Sequence, residues 1–170
     1  FHNNIRNIIG ESDTPNKMAA SESDNVGKLK VDGIEMELSS RLKGGSSVAL
    51  NYTYQNPKNE LTGERVANVS RQKFNASLNY RHSRYVNIFT GLNHQGKVNR
   101  TSSDPRSNIG SHTTVDIAAS FKDTSGHWDV TASVYNFFDK KYFDASKFGT
   151  MDSDYPRLGR NFMLEASYKL

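Results

Sequence analysis

Apolar and polar side chains alternate one for one through segments of about ten residues, and that period restricts the chain to β-strands with one apolar and one polar face. Trp128, Val130, Ala132 and Val134 fall on one face, and Asp129, Thr131, Ser133 and Tyr135 on the other. Val115, Ile117, Ala119 and Phe121 likewise oppose Thr114, Asp116, Ala118 and Ser120, and Phe74, Ala76, Leu78 and Tyr80 oppose Lys73, Asn75, Ser77 and Asn79. The last segment sets Phe162, Leu164, Ala166, Tyr168 and Leu170 against Asn161, Met163, Glu165, Ser167 and Lys169. Upstream, Val48, Leu50, Tyr52 and Tyr54 oppose Ala49, Asn51, Thr53 and Gln55, and Ile34, Met36 and Leu38 oppose Glu35, Glu37 and Ser39. The segment from Tyr85 to His94 is the least regular.

This pattern predicts an all-β fold, an antiparallel up-and-down meander of about eight strands over 1–9, 26–42, 46–56, 70–81, 85–97, 112–121, 127–138 and 160–170. The connections alternate in length: 10–25, 57–69, 98–111 and 139–159 are long, whereas 43–45, 82–84 and 122–126 are short. Short turns on one rim and long loops on the other characterise outer-membrane barrels. Pro15, Pro57, Pro105 and Pro156 all map to the long loops, as a residue without a backbone N–H should. The short connections carry turn chemistry instead, as in Lys43-Gly44-Gly45. Tyr80, Tyr85, Phe121, Trp128 and Tyr168 sit beside the short turns, where an aromatic girdle would meet the periplasmic headgroups. The alternation by itself also suits a soluble β-sandwich or lipocalin-like barrel with an internal apolar core.

With 35% hydrophobic residues and a mean hydropathy of −0.73, the chain has no apolar run near the ~20 residues of a membrane helix. Half of each barrel strand faces a polar interior, so low hydropathy is compatible with a membrane wall. There are no cysteines, which removes disulfides and thiolate chemistry. The net charge of +4 comes from scattered lysines and arginines, without the basic runs or aromatic motifs of nucleic-acid binders. The chain opens in mid-pattern at Phe1 and is expected to be a fragment of a longer protein.

From Val134 to Tyr142 the sequence reads Val-Tyr-Asn-Phe-Phe-Asp-Lys-Lys-Tyr, which resembles the penultimate-strand signature of TonB-dependent outer-membrane receptors. Pro156-Arg157-Leu158-Gly159-Arg160-Asn161-Phe162 resembles the entry to that family's last strand. Gly33-Ile34-Glu35-Met36-Glu37, Asn51-Tyr52-Thr53-Tyr54 and Asn75 to Tyr80 look like earlier wall strands of the same family, in the same order. The resemblance implies that 1–170 is the C-terminal segment of a transmembrane β-barrel, 22-stranded in the full-length family, with the plug domain absent from the chain. It implies a Gram-negative outer membrane, uptake of a scarce chelate of the ferric siderophore, haem or cobalamin class, TonB engaged through the missing N-terminal region, and contact with lipid and lipopolysaccharide. The family commonly ends in Phe, whereas this chain ends in Leu170.

Asn136, Phe138, Asp139, Tyr142, Gly159, Arg160 and Phe162 carry the family signature and are assigned structural roles. Asn136 and Asp139 suit turn geometry, Gly159 is expected to supply an unusual backbone angle, and Arg160 to reach outer headgroups or pair with a carboxylate on the polar face. Arg100, Arg106, Lys147 and Arg157 on outer loops are candidate substrate contacts, since cations steer anionic chelates. Lipopolysaccharide phosphates explain the same cations equally well. His94 and His112 are further candidates, expected to face each other at the outer rim if loop 98–111 closes a hairpin. Glu35 and Glu37 are two residues apart on the polar face and read as wall charges rather than a catalytic pair. No catalytic constellation, metal-ligand spacing or cofactor motif occurs, so no enzyme and no cofactor are expected.

Three classes remain open from the residues: a receptor wall, an autonomous structural or adhesive barrel of about eight strands, and a soluble barrel enclosing a ligand. An isolated segment of wall is expected to close on itself or pair its edges with another copy, because bare edges invite aggregation.

Overall fold

The computed structural model describes residues 1–11, 23–146, 148–149 and 151–169. Eight strands form one antiparallel sheet in chain order: β1 (His2–Glu11), β2 (Ser23–Arg41), β3 (Ser47–Asn59), β4 (Gln72–Arg81), β5 (Val86–Gln95), β6 (His112–Lys122), β7 (Trp128–Tyr135) and β10 (Asn161–Tyr168). Between β7 and β10, the long connection folds back as a two-residue ladder of β8 (Phe143–Asp144) and β9 (Tyr155–Pro156), which the alternation does not encode. The one helical turn among the described residues is the 3-10 turn Lys43–Gly45, and no helix is long and apolar enough to cross a membrane.

Register confirms the two faces. Ile117 pairs with Val134, Ala119 with Ala132 and Phe121 with Val130, while Ala118 pairs with Ser133 and Ser120 with Thr131. Phe162, Leu164, Ala166 and Tyr168 continue the apolar row, and Met36–Tyr52–Phe74 extends it across β2, β3 and β4. In the irregular β5, Phe89 stands on the polar face opposite Asn79 and Ala118. A Cβ on Gly91 would lie 3.2 Å from its ring, so this glycine makes room for the misplaced aromatic.

The sheet is a single layer whose apolar row is left uncovered. Met36 is 63% exposed, Phe162 73% and Leu164 74%, whereas the buried apolar side chains include Val98, Ile109 and Pro57. The buried polar side chains are Ser46, Ser70, Ser133, Asn136 and Ser146. A sheet whose large hydrophobic residues point outward has its solvent preference met by lipid rather than by a core. Trp128 to Val134 covers six residue steps, about 20 Å at about 3.3 Å per residue, close to the ~25 Å apolar belt of a membrane barrel.

Two expectations change. Pro57 lies within β3 opposite Val31 rather than in a loop. β4 ends its pairing at Tyr54, and the backbone N–H groups of Gln55 and Asn59 point toward the β4 side, so the missing donor of Pro57 faces away from β2 and costs no β2 ladder bond. The sheet is also open: no ladder among the described residues joins β1 to β10. An autonomous eight-stranded barrel requires that closure.

Each short turn is fixed by local bonds. Gly44 and Gly45 take φ of 77° and 84° in the first, where the Ser46 hydroxyl accepts the Arg81 N–H at 3.0 Å. In the second, the Ser83 hydroxyl accepts the Val86 N–H at 3.1 Å, and in the third, the Asp123 carboxylate accepts the Trp128 N–H at 3.0 Å.

Candidate functional site

The signature residues build the corner where β7 gives way to the last long loop. Asn136 is buried and takes φ of 50°, and its side chain closes a ring on Lys140: Oδ1 accepts the Lys140 N–H and Nδ2 donates to the Lys140 carbonyl, both at 2.9 Å. Its own N–H donates to Asp116 Oδ1 on the neighbouring β6 at 2.8 Å. Asp139, at φ of 52°, accepts the Arg160 N–H at 2.8 Å and so ties the start of the loop to its return. That N–H, with Lys141 beside it, holds the Asp139 carboxyl below its ordinary range.

Gly159 does not occupy the left-handed region, contrary to expectation. A Cβ there would lie 2.6 Å from Asp139 Oδ1, so the glycine is required by the close approach of that carboxylate. Arg160 donates to the Phe137 carbonyl at 3.4 Å rather than to a carboxylate of the polar face. Phe138 is 73% exposed and packs edge-on against Phe137, and Phe162 belongs to the apolar row opposite Val134.

Beside this corner, on the polar face near the long-loop rim, lies a cavity of about 570 Å³. Lys73, Asn75, Asn93, Asp116 and Tyr135 from the strands line it, with Tyr142, Asp144 and Arg157 from the last loop. His112 stacks on Tyr142 with ring centroids 4.3 Å apart, and its Nδ1 is buried without a protein partner. Arg157 pairs with Asp144 at 3.1 Å. The lining combines aromatic faces, amides and both charge signs, which suits a polar ligand with delocalised or anionic groups.

Loops 98–111 and 139–159 are fastened together above the sheet. Arg100 pairs with Asp104 at 3.3 Å and with Asp154, and its side chain is only 4% exposed. Arg106 pairs with Asp104 at 2.8 Å and donates to the Ser146 hydroxyl and carbonyl at 2.8 and 3.0 Å. The Arg106 guanidinium holds the Asp104 carboxyl down to about 2. Burial pushes Asp154 up, but the hydrogen bond from Arg100 and the neighbouring charges bring it below the ordinary value. Val98 and Ile109, bridged to each other and through Val98 to Ser70, form a small apolar floor beneath.

Residues 1–137 match the family model described as TonB dependent receptor-like, beta-barrel. The chain belongs to the TonB-dependent receptor β-barrel family. Among solved structures it is similar to the copper transporter OprC, at 18% identity and a TM-score of 0.77, over 98% of this chain and 27% of that one. It is similar to the ferripyoverdine receptor of Pseudomonas aeruginosa at 22% identity and a TM-score of 0.77, over 98% and 24%. It also resembles the ferric enterobactin receptor PfeA of Pseudomonas aeruginosa, at 20% identity and a TM-score of 0.78, over 98% and 27%. No curated protein matches the chain. The chain therefore spans about a quarter of the length of these structures and is a partial wall of a Gram-negative outer-membrane barrel.

In a TonB-dependent receptor barrel the polar face lines the lumen and the long loops lie outside the cell. The cavity beside His112 thus sits in the lumen near the outer rim. Of the expected contacts, His94, His112 and Arg157 line it. The hairpin closes as expected, but His94 pairs with Thr113, at 2.9 Å between side chains, and His112 with Gln95, so alternation sends the two imidazoles to opposite faces. Arg100 and Arg106 are engaged in the loop clamp, and Lys147 lies outside the described residues. Lys73, Asn93 and Asp116 were not singled out from sequence, although their shared polar-face positions near the Asn136 corner were the available signal.

Proposed function

We propose that this chain is the C-terminal wall section of an outer-membrane receptor that captures a metal chelate at the cell surface and imports it with energy delivered through TonB. The supporting observation is the lumen-side cavity at the rim, where His112, Tyr142, Lys73 and Arg157 converge under a fastened pair of loops. Aromatic faces suit the flat organic shell of a chelate, and Lys73, which has no ion-pair partner among the described residues, supplies a cation for its anionic groups beside the Arg157–Asp144 pair. The similar receptors solved bound to ferripyoverdine or in complex with enterobactin support the chelate class, including ferric siderophores, with haem and cobalamin as the other candidates. Plug and TonB contact belong, in this reading, to parts of the receptor beyond this chain. The open sheet disfavours an autonomous barrel, and outward hydrophobic residues disfavour a soluble binder.

Uptake of labelled ferric siderophores, haem and cobalamin by cells dependent on the full-length receptor tests this. One chelate should enter only with TonB present, and Lys73→Ala combined with Arg157→Ala should weaken its binding about tenfold at unchanged receptor abundance, as expected for about 1.4 kcal/mol. Import independent of TonB, or no binding of any chelate, would reject the reading.

A further inference from the structure

A second cavity, of about 470 Å³, lies on the outer face of the wall rather than in the lumen. Its floor is Tyr54, Gln72 and Gly96. Tyr54 pairs with Gln72, the Gly96 N–H donates to the Gln72 carbonyl, and a Cβ on Gly96 would touch the Gln72 Cβ at 3.2 Å. All three therefore share the face of Phe74 and Tyr52, one strand repeat, about 7 Å, above the top row of the apolar belt. Arg65, Arg71 and Lys97 line its sides, and no carboxylate lines it among the described residues.

Arg71 is fixed in place. Its guanidinium stacks 5.1 Å from the centre of the Tyr54 ring and donates to the Tyr54 hydroxyl, while its Nε is buried with no acceptor in the protein. A buried guanidinium nitrogen without an acceptor carries an uncompensated desolvation cost. Arg65 and Lys97 are exposed and have no ion-pair partner among the described residues. By contrast, the loop cations Arg100, Arg106, Lys141 and Arg157 all pair with carboxylates.

We propose that this outer cavity binds the phosphate of an outer-leaflet lipid. Three cations without a counter-charge fit a phosphate, and a planar guanidinium can hold it through paired hydrogen bonds. The source is a lipid rather than a dissolved anion because of place. A headgroup held at Tyr54 and Gly96 lays its acyl chains directly down the belt over Phe74, Leu92 and Leu78, which already require lipid. The site is separate from the lumen cavity and does not depend on which substrate the receptor carries.

The test uses the full-length receptor, purified and delipidated in neutral detergent and titrated with diphosphorylated lipid A, its dephosphorylated form and inorganic phosphate, with native mass spectrometry as the readout. Lipid A should bind, the dephosphorylated lipid should not, and inorganic phosphate should not compete. Arg71→Gln and Lys97→Gln should each weaken binding about fivefold, and the triple variant with Arg65→Gln about a hundredfold, from about 1 kcal/mol per cation. Lys43→Gln on the opposite rim should bind as the unaltered receptor does. If the triple variant loses the heat-modifiable gel mobility of a folded barrel, the exposed Arg65→Gln and Lys97→Gln single variants decide. Equal binding of the dephosphorylated lipid, unchanged binding by the variants, or competition by inorganic phosphate would overturn the proposal.

Discussion

Gly159 and Asn136 show how little space the signature corner leaves. Gly159→Ala places a methyl group 2.6 Å from Asp139 Oδ1, so that carboxylate must shift and strain the bond it makes to the Arg160 N–H. A loss of about 1–3 kcal/mol is expected, read as a lower urea midpoint of the full-length receptor in detergent. Gly110→Ala is the control, because nothing lies within 4 Å of its Cβ and its φ is not positive, so it should leave the midpoint unchanged. Asn136→Asp keeps the acceptor for the Lys140 N–H but removes both Nδ2 donations and adds charge beside Asp116, so it should also destabilise by about 1–3 kcal/mol in the same assay. The importance of these residues was legible in their motif. The reason for the glycine was not, since a carboxylate twenty positions away sets it, and no local pattern encodes that approach.

Strands and loops differ in how far sequence specifies them. Strand faces follow from a period of two, and the register reproduces them from Ile34 to Tyr168. The clamp joins Arg100 to Asp154 and Arg106 to Ser146, pairs separated by 54 and 40 residues with no period between them. Reading Arg100 and Arg106 as free cations was therefore natural, and it is the tertiary contact that occupies them. The clamp has a definite pH dependence. The Asp104 carboxyl is lowered from 3.8 to about 2, so its stabilisation is fully present above about pH 4 and is lost as pH falls through about 2. Limited digestion with an acid protease should leave loops 98–111 and 139–159 intact near pH 4 and cut them increasingly toward pH 2. Asp104→Asn should expose both loops already at pH 4.

At the scale of the whole wall, the outward apolar face makes lipid part of the folded state. Leu164→Arg on that face should cost about 2–4 kcal/mol, measured as slower and less complete folding of the full-length receptor into vesicles. Glu165→Arg, on the polar face opposite Thr131, should fold nearly as the unaltered receptor. The chain 1–170 alone, transferred to buffer without detergent, should precipitate rather than remain a soluble monomer, because both the belt and the edges β1 and β10 are uncovered. A soluble, cooperatively melting monomer would contradict the outward orientation of the belt.

The clamp also sets the unit in which this rim can be re-engineered or can diversify. Transplanting loop 98–111 alone into another receptor would strand Arg100 and Arg106 without Asp154 and Ser146, and transplanting 139–159 alone would strand Asp154. The two loops travel as one cassette, so chimeras that exchange both should assemble where single exchanges fail.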